Sequence, residues 1–248
     1  MIREANGRFL ESLTPDTEAK LKIRALWEAY GAGRPFVRFY AGDGETAIAL
    51  MDGTAVVAMG EEPAEEAALF LSMNPEVCSV RTDAAFALQM ADSWGTAASI
   101  GTVMTPSVHP VADERVEETA PRDIYAALYA VFGDNLPPFD SWYADVHSRF
   151  RHGRCRIAAI SRESVVAATA MTTAECEGAA LIGAVATLPA FRGQGFASAC
   201  VRTLTARLLD EGRRVLLSPK NERAAALYRK LGFVPCGSYG SVSRKITN

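Results

Sequence analysis

The sequence Arg192-Gly193-Gln194-Gly195-Phe196-Ala197 stands between an apolar, β-rich run ending at Thr187 and a long predicted helix. The first backbone N–H groups of a helix have no partner within the helix, and the helix dipole places partial positive charge at that end. Glycine allows the backbone to approach a phosphate closely, and Arg192 adds a charged donor. The segment therefore predicts a diphosphate-binding site at the start of this helix, in a geometry that requires no metal.

Three other interpretations compete for the same segment. A Walker loop, G-x-x-x-x-G-K-[ST], requires a lysine that the sequence lacks at the corresponding position. The pattern Gly193-x-Gly195-x-x-Ser198 approaches a dinucleotide fingerprint, but that motif belongs to a parallel βαβ unit with an acidic residue about 20 positions further on. Here the next predicted strand ends in Leu216-Leu217-Ser218. The third alternative is a glycine-rich turn with a purely structural role.

The residues on both sides of the segment predict a sheet with helices packed on it. Three β-rich runs separated by short polar turns predict an antiparallel meander: Cys155–Ser161, Val165–Thr173 and Ala179–Thr187. Periodicity and capping residues then predict a helix, a strand, a helix and a last strand, at Gly195–Glu211, Arg214–Ser218, Glu222–Leu231 and near Val234–Ile246. A strand around Val116 and two helices, Pro121–Phe132 and Pro138–Arg151, are predicted to open this half.

The first half repeats this order of elements with weaker signals. The predicted elements are strands at Phe36–Ala41, Thr46–Met51 and Thr54–Met59, a helix at Pro63–Met73, a strand at Val77–Arg81 and a helix at Thr82–Trp94. Pro106 and Pro110 frame a polar stretch, which places a domain boundary near residue 110. The sequence thus predicts an α+β fold of two similar domains, 1–110 and 111–248, each with a mostly antiparallel central sheet flanked by helices.

A second motif, from Asn221 to Phe233, lies in the helix that follows the first. Asn221 is a typical N-cap residue, and Gly232 ends the helix. Asn221 and Tyr228 are seven residues apart, which places them near one helical face and roughly 10 Å apart along the axis. One extended ligand could therefore contact both. Alternatively, Tyr228 is a core residue whose hydroxyl finds a partner at the surface.

These two motifs resemble the pattern of the GNAT acyltransferase superfamily, which is Arg/Gln-x-x-Gly-x-Gly/Ala before one helix and Asn…Tyr-x-x-x-Gly-Phe in the next. The resemblance covers about Ala179 to Phe233. It implies a tandem GNAT-like protein whose second domain is an N-acetyltransferase. The acyl donor would be acetyl-CoA, and the acceptor would be the amine of a small molecule or peptide.

The resemblance also implies roles for individual residues. The residues that would hold the coenzyme diphosphate are Arg192, Gly193, Gln194, Gly195, Phe196, Ala197 and Ser198. Backbone groups of Val185, Ala186 and Thr187 would pair with the pantetheine arm and the acyl carbonyl. Asn221 would hydrogen-bond the pantetheine, and Tyr228 would be the general acid. A lowered pKa of the Tyr228 phenol would help it to protonate a departing thiolate.

No general base is evident in the sequence. The predicted strand Ala179–Thr187 contains no carboxylate or imidazole, so deprotonation of the amine through water is an alternative. The nearest acidic residues by element order are better explained as solvated turn or cap residues than as bases: Glu175, Glu177, Asp134 and Asp140. By resemblance, Phe132–Tyr143 borders the acceptor site. Two other functions stay open, a non-catalytic acyl-CoA sensor or scaffold and a nucleotide-dependent oxidoreductase.

Composition limits the partners that the protein can bind and the cellular compartment in which we expect it. The chain has 248 residues and a net charge of −3, which provides no electrostatic attraction to nucleic acid or an anionic membrane. Its five cysteines form no C-x-x-C pair, so neither a disulfide framework nor a metal site is indicated. The sequence shows neither the apolar core of a signal peptide nor a run of about 18 apolar residues. We therefore expect a cytoplasmic protein, as a monomer or homodimer.

The first half lacks the residues that suggest coenzyme binding in the second. Its corresponding segment, Gly60-Glu61-Glu62-Pro63-Ala64-Glu65-Glu66, contains four carboxylates and no arginine, and these would repel a diphosphate. Its helix from Asp83 to Trp94 has no Asn…Tyr pair in register. We therefore interpret domain 1–110 as a degenerate domain without a coenzyme site.

Titration calorimetry tests this interpretation of the first half. Coenzyme A should bind with a stoichiometry of one per chain, because only the second half offers main-chain donors and an arginine to the diphosphate. Two coenzyme molecules bound per chain would contradict the interpretation.

Overall fold

A computed structural model of the chain describes residues 1–60 and 64–244. These residues form two compact units: a first unit of Met1–Val103 with the C-terminal segment from Cys236, and a second unit of Met104–Pro235. The units differ from the predicted domains 1–110 and 111–248 in that the C-terminal segment groups with the first unit. Among the described helices, none has the length and apolar character to cross a bilayer.

One order of elements occurs twice along the chain: strand, two helices, three strands, helix, strand, helix, strand. In the first repeat these are β1 (Arg3–Glu4), α1 (Gly7–Ser12), α2 (Glu18–Tyr30), β2 (Val37–Ala41), β3 (Ala47–Met51), β4 (Thr54–Ala58), α3 (Ala64–Met73), β5 (Ser79–Thr82), α4 (Ala84–Ser93) and β6 (Ala98–Pro106). In the second they are β7 (Glu117–Glu118), α5 (Pro121–Phe132), α6 (Phe139–Arg151), β8 (Ile157–Arg162), β9 (Val165–Cys176), β10 (Ala179–Thr187), α7 (Phe196–Asp210), β11 (Arg214–Leu217), α8 (Glu222–Lys230) and β12 (Phe233–Ser243).

The predicted α+β fold class is confirmed, and most predicted elements lie within two residues of their observed bounds. The sequence analysis missed the strand β1, the helices α1 and α2 and the strand β6. In α2 the charged residues Glu18 and Arg24 are buried beside the apolar ones, which breaks the usual amphipathic pattern. Pro63 and Ile246, at the predicted ends of a helix and a strand, lie outside the described residues.

The second unit has a sheet in the order β7, β8, β9, β10, β11 and the end of β6 from Met104. Neighbours from β7 to β10 are antiparallel, β10 and β11 are parallel, and Leu217 of β11 faces Met104 of β6 in an antiparallel pair. Helices cover both faces. One apolar cluster contains sheet residues together with Leu204 of α7 and Tyr228 of α8. A second contains sheet residues together with Leu128 of α5 and Val146 of α6.

The strand β10 leaves its parallel partner halfway along its length. Its pairing with β11 runs from Ala179 opposite Arg214 to Ile182 opposite Leu217 and ends there. On the other edge, β10 has a bulge, because its two residues Ala184 and Val185 lie opposite the single residue Ala170 of β9. The bulge includes Ala184 with φ of +46°, a conformation that is uncommon for a residue with a side chain. The two parallel strands therefore separate at one end.

The first unit has a sheet in the order β1, β2, β3, β4, β5, β12. Its last strand comes from the C-terminal segment, where Gly240–Ser243 pair antiparallel with β5. Val242 is buried in the apolar core of this unit. The Arg244 guanidinium donates hydrogen bonds to the carbonyls of Leu71 and Ser72, at 2.8 and 2.7 Å. The first unit is thus complete only with residues that follow the second unit in sequence.

Truncation tests the role of the C-terminal strand. A chain that ends at Pro235 should show faster amide exchange in β5 than a matched control that ends at Arg244, because β5 loses its hydrogen-bonded partner and the core loses Val242. Exchange in β10 should stay slow in both. Hydrogen–deuterium exchange measures this difference, and equal protection of β5 in the two chains would contradict the assigned pairing.

Candidate functional site

A cavity of about 670 Å³ opens in the second unit where β10 and β11 separate. The predicted site residues that line it are Val185, Ala186, Thr187, Arg192, Gly193, Gly195, Phe196, Ala197, Ser198, Asn221 and Tyr228. Gln194 is exposed and does not line the cavity. The two sequence motifs, about thirty residues apart in the chain, therefore meet at one cavity.

Several further residues that the sequence analysis did not single out also line the cavity: Val131, Phe191, Arg223, Ala224, Ala226, Leu227 and Lys230. Those on α8 follow from helical geometry once the cavity is known to extend along that helix. Val131 belongs to α5 and has no local sequence signal that links it to the motifs.

The N-terminus of α7 is open toward the cavity. Gly195 is its N-cap residue with φ of +76°, and no side chain caps the helix. Gly193 also has a positive φ, of +80°, and a Cβ atom added to either glycine would meet no protein atom within 4 Å. These positions require glycine for backbone conformation rather than for lack of space. The first-turn N–H groups, at Phe196, Ala197 and Ser198, are left without a side-chain acceptor.

Arg192 is exposed and adds a positive charge beside this helix end. Its Nε donates a hydrogen bond to the carbonyl oxygen of Thr187 at 3.3 Å, which links the loop to the end of β10. Arg192 also lines the cavity. The helix dipole places partial positive charge at the N-terminus of α7, and the guanidinium is also positive, so the arrangement favours an anion.

The side-chain amide of Asn221 can cap α8 and bind a ligand at the same time. Its Oδ1 accepts a hydrogen bond from the backbone N–H of Ala224 at 2.9 Å and so caps α8. The Nδ2 group has two further donors, and Asn221 lines the cavity. A ligand carbonyl beside α8 can therefore be bound without loss of the helix cap.

Tyr228 is buried, with 6% of its surface exposed, and lines the cavity. Its ring packs against Phe233 with centroids 6.1 Å apart. Within the described residues the hydroxyl has no hydrogen-bond partner, and burial raises the pKa of Tyr228 to about 12. This direction is opposite to the lowering that would ease complete proton transfer to a thiolate. The phenol therefore stays protonated at physiological pH and is available as a hydrogen-bond donor.

The acidic residues considered as general bases lie elsewhere. Glu175 is buried, and its Oε1 is 3.1 Å from Arg156 and 3.6 Å from Arg213. Burial raises the pKa of Glu175, and the two guanidinium groups oppose that shift. Neither Glu175 nor the other candidates, Glu177, Asp134 and Asp140, line the cavity. Among the described residues, the cavity lining contains no carboxylate or imidazole.

The first unit has a smaller cavity at the corresponding separation of β4 from β5. Pairing of these strands ends at Val56 opposite Arg81, and the cavity beyond has a volume of about 160 Å³. The Arg81 guanidinium reaches into it, pairs with Glu18 at 2.6 Å and stacks on the Tyr239 ring at 4.0 Å. Of the acidic segment Gly60–Glu66, residues 61–63 lie outside the described residues. The described part of this unit offers less room for a nucleotide-sized ligand than the second unit.

No group of three or more His, Cys, Asp or Glu side chains is arranged to hold a metal ion in the described parts of the chain. The groups that the large cavity presents are main-chain donors, the cationic side chains of Arg192, Arg223 and Lys230, the amide of Asn221 and the protonated phenol of Tyr228.

Comparisons with known proteins agree on the fold. A model of the acetyltransferase (GNAT) family matches residues 121–233. Three solved structures align over nearly the whole chain at 14% identity. A Drosophila protein has a TM-score of 0.70 and covers 100% of this chain and 99% of its own. A GNAT-family acetyltransferase from Colwellia psychrerythraea has a TM-score of 0.62, with 99% and 100% covered. A tandem GNAT protein from the clavulanic acid biosynthesis pathway has a TM-score of 0.61, with 100% and 99% covered. A search of curated proteins gave no match.

Proposed function

We propose that this protein is an N-acetyltransferase that uses acetyl-CoA, because residues 121–233 match the model of the acetyltransferase (GNAT) family. The tandem GNAT-like fold predicted from the sequence is confirmed. The observation that carries the proposal is the uncapped N-terminus of α7, which opens onto the same cavity as the buried phenol of Tyr228. An anion site and a proton donor thus share one ligand-sized cavity.

The residues present fit the coenzyme along its length. The first-turn N–H groups of α7 and the Arg192 guanidinium suit the diphosphate. At Val185–Thr187 the edge of β10 no longer pairs with β11, so its backbone groups can pair with the amide groups of the pantetheine arm. The free Nδ2 of Asn221 provides a further donor to that arm. Tyr228 lies at the buried end of this row of coenzyme-binding groups, where the thioester would be placed.

When bound, acetyl-CoA supplies a thioester carbonyl that a neutral amine can attack. In the net reaction a C–N bond forms, the C–S bond breaks, and the sulfur leaves as a thiolate that takes up a proton. Tyr228 donates a hydrogen bond to the sulfur as negative charge develops there. With its pKa raised to about 12, Tyr228 acts mainly through this hydrogen bond, because complete transfer of its proton to a thiolate is uphill.

The acceptor must reach the carbonyl as a neutral amine, because a protonated amine has no lone pair for attack. The described lining contains no carboxylate or imidazole, so water carries away the proton. The acceptor in this proposal is a small-molecule or peptide amine, and nucleic acid and membranes are not partners. The proposal also includes a cytoplasmic location and a monomeric or homodimeric state. It further includes a first domain, residues 1–110, that has no coenzyme site.

A non-catalytic acyl-CoA sensor is the second candidate, and the lack of a carboxylate or imidazole among the described lining residues favours it. A thiol-release assay with acetyl-CoA and a panel of primary amines separates the two functions. An enzyme releases coenzyme A in an amine-dependent manner. A sensor binds acetyl-CoA and releases none.

Replacement of the phenol tests the role of Tyr228. Tyr228→Phe should retain coenzyme A binding but lower kcat by about a hundred- to a thousand-fold, the range for loss of one hydrogen-bond donor to charge that develops in the transition state. Tyr40→Phe is a matched control, because Tyr40 packs on Phe70 in the first unit, away from the cavity. Steady-state kinetics and calorimetry on the two variants measure both quantities. Wild-type turnover by Tyr228→Phe would remove the hydroxyl from the mechanism.

The pH dependence follows from the direction of the Tyr228 shift. The active form of the phenol is protonated, and burial raises its pKa to about 12, so alkaline conditions should not remove the donor until well above neutrality. We expect kcat/KM to rise with pH as the amine loses its proton and then to stay level past about pH 10, where an unshifted tyrosine would ionise. A pH–rate profile checks this expectation. A fall in rate centred near about pH 10 that Tyr228→Phe abolishes would contradict it.

A further inference from the structure

The large cavity carries an excess of positive charge. Three cationic side chains line it, those of Arg192, Arg223 and Lys230. No acidic side chain of the described chain lines it. Arg192 belongs to the loop before α7, whereas Arg223 and Lys230 belong to α8. A ligand that neutralised only Arg192 and the helix end would leave two cations without a counter-ion.

Arg223 and Lys230 have no ion-pair partner in the part of the chain that the structure describes. The acidic residue beside Arg223 in sequence, Glu222, pairs with Arg229 at 2.8 Å. Both Arg223 and Lys230 are exposed, so their charges stay hydrated without a ligand. They are therefore free to meet an anion at the open side of the cavity.

Helical geometry separates these two cations from the thioester end. Arg223 and Lys230 are seven residues apart, so they project from one side of α8, roughly 10 Å apart along the axis. Tyr228 is roughly 150° around the helix from both of them. Tyr228 is also buried, whereas the two cations are exposed. The anion they suit lies at the outer end of the ligand and not beside the acyl group.

We propose that Arg223 and Lys230 bind the 3′-phosphate of the coenzyme's adenosine and make the site selective for the 3′-phosphorylated form; this rests on the proposed function. The diphosphate already has the N-terminus of α7 and Arg192 as its partners. A phosphate monoester adds a charge of about −1.5 to −2 at neutral pH, which matches two cations. The side chains of Arg223 and Lys230 are long and flexible and lie on one side of α8, so both can contact one phosphate placed between them.

An acidic acyl group is the other source of negative charge on such a ligand. It would lie at the thioester, next to the buried phenol of Tyr228. The lining residues of β10, Val185–Thr187, are uncharged, and Arg192, which contacts Thr187, is already assigned to the diphosphate. The positions of Arg223 and Lys230 therefore favour the nucleotide end.

Calorimetry with coenzyme A and 3′-dephospho-coenzyme A tests the proposal without use of catalysis. Wild type should bind coenzyme A about ten-fold more tightly than the dephospho form, the gain available from two exposed charge pairs. The double variant Arg223→Ala/Lys230→Ala should bind the two forms within about two-fold of each other and retain the wild-type affinity for the dephospho form. The wild-type preference should shrink at high salt, since exposed charges are screened.

Arg229→Ala is the matched control, because Arg229 is an exposed cation of the same helix that pairs with Glu222 and does not line the cavity. It should retain the wild-type preference. Equal affinities of wild type for the two forms, or an unchanged preference in the double variant, would overturn the proposal and leave the acetyltransferase function standing. Failure of wild type to bind either form would instead overturn the proposed function itself, and the proposal with it. Tighter binding of succinyl-CoA than of acetyl-CoA, lost in the double variant, would assign the cations to an acidic acyl group.

Discussion

Beyond Ile182, β10 no longer pairs with β11, and the cavity exists because of this separation. A continuous parallel ladder would bury the strand edge at Val185–Thr187 and leave no room between the loop before α7 and α8. The bulge that accompanies the separation places Ala184 at a positive φ, which costs of order 1–3 kcal/mol. Apolar packing of Ala186 with α5 and α6 supports this conformation. The site thus depends on a local distortion that the surrounding core stabilises.

The sequence predicted the helix α7, the strand β10 and the capping of α8 well, because each has strong local signals. Gly195 marks the start of α7, and Asn221 caps α8 as expected. The bulge could not be predicted, since Gly183-Ala184-Val185 is compatible with a regular strand and alanine gives no indication of a positive φ. The raised pKa of Tyr228 was also missed, because burial is a property of the packed structure.

The same separation of parallel strands occurs in the first unit but has a different outcome. There Arg81, Glu18 and Tyr239 form an ion pair and a ring contact in the smaller cavity. The described lining of the second unit's cavity contains cations but no carboxylate, and the buried ion pairs of Glu175 lie elsewhere. The two repeats therefore differ in whether an internal ion pair occupies the space between the separated strands.

The assignment of Gly240–Ser243 to the first unit has a consequence for biosynthesis. A ribosome makes the chain from its N-terminus, so β5 emerges more than 150 residues before the strand that covers its edge. Through that interval an open strand edge is exposed, which is the kind of surface that promotes wrong pairing between nascent chains. The sheet of the first unit therefore cannot be completed before the residues of the second unit have been made. Translation rate and chaperone supply should therefore influence the yield of this protein.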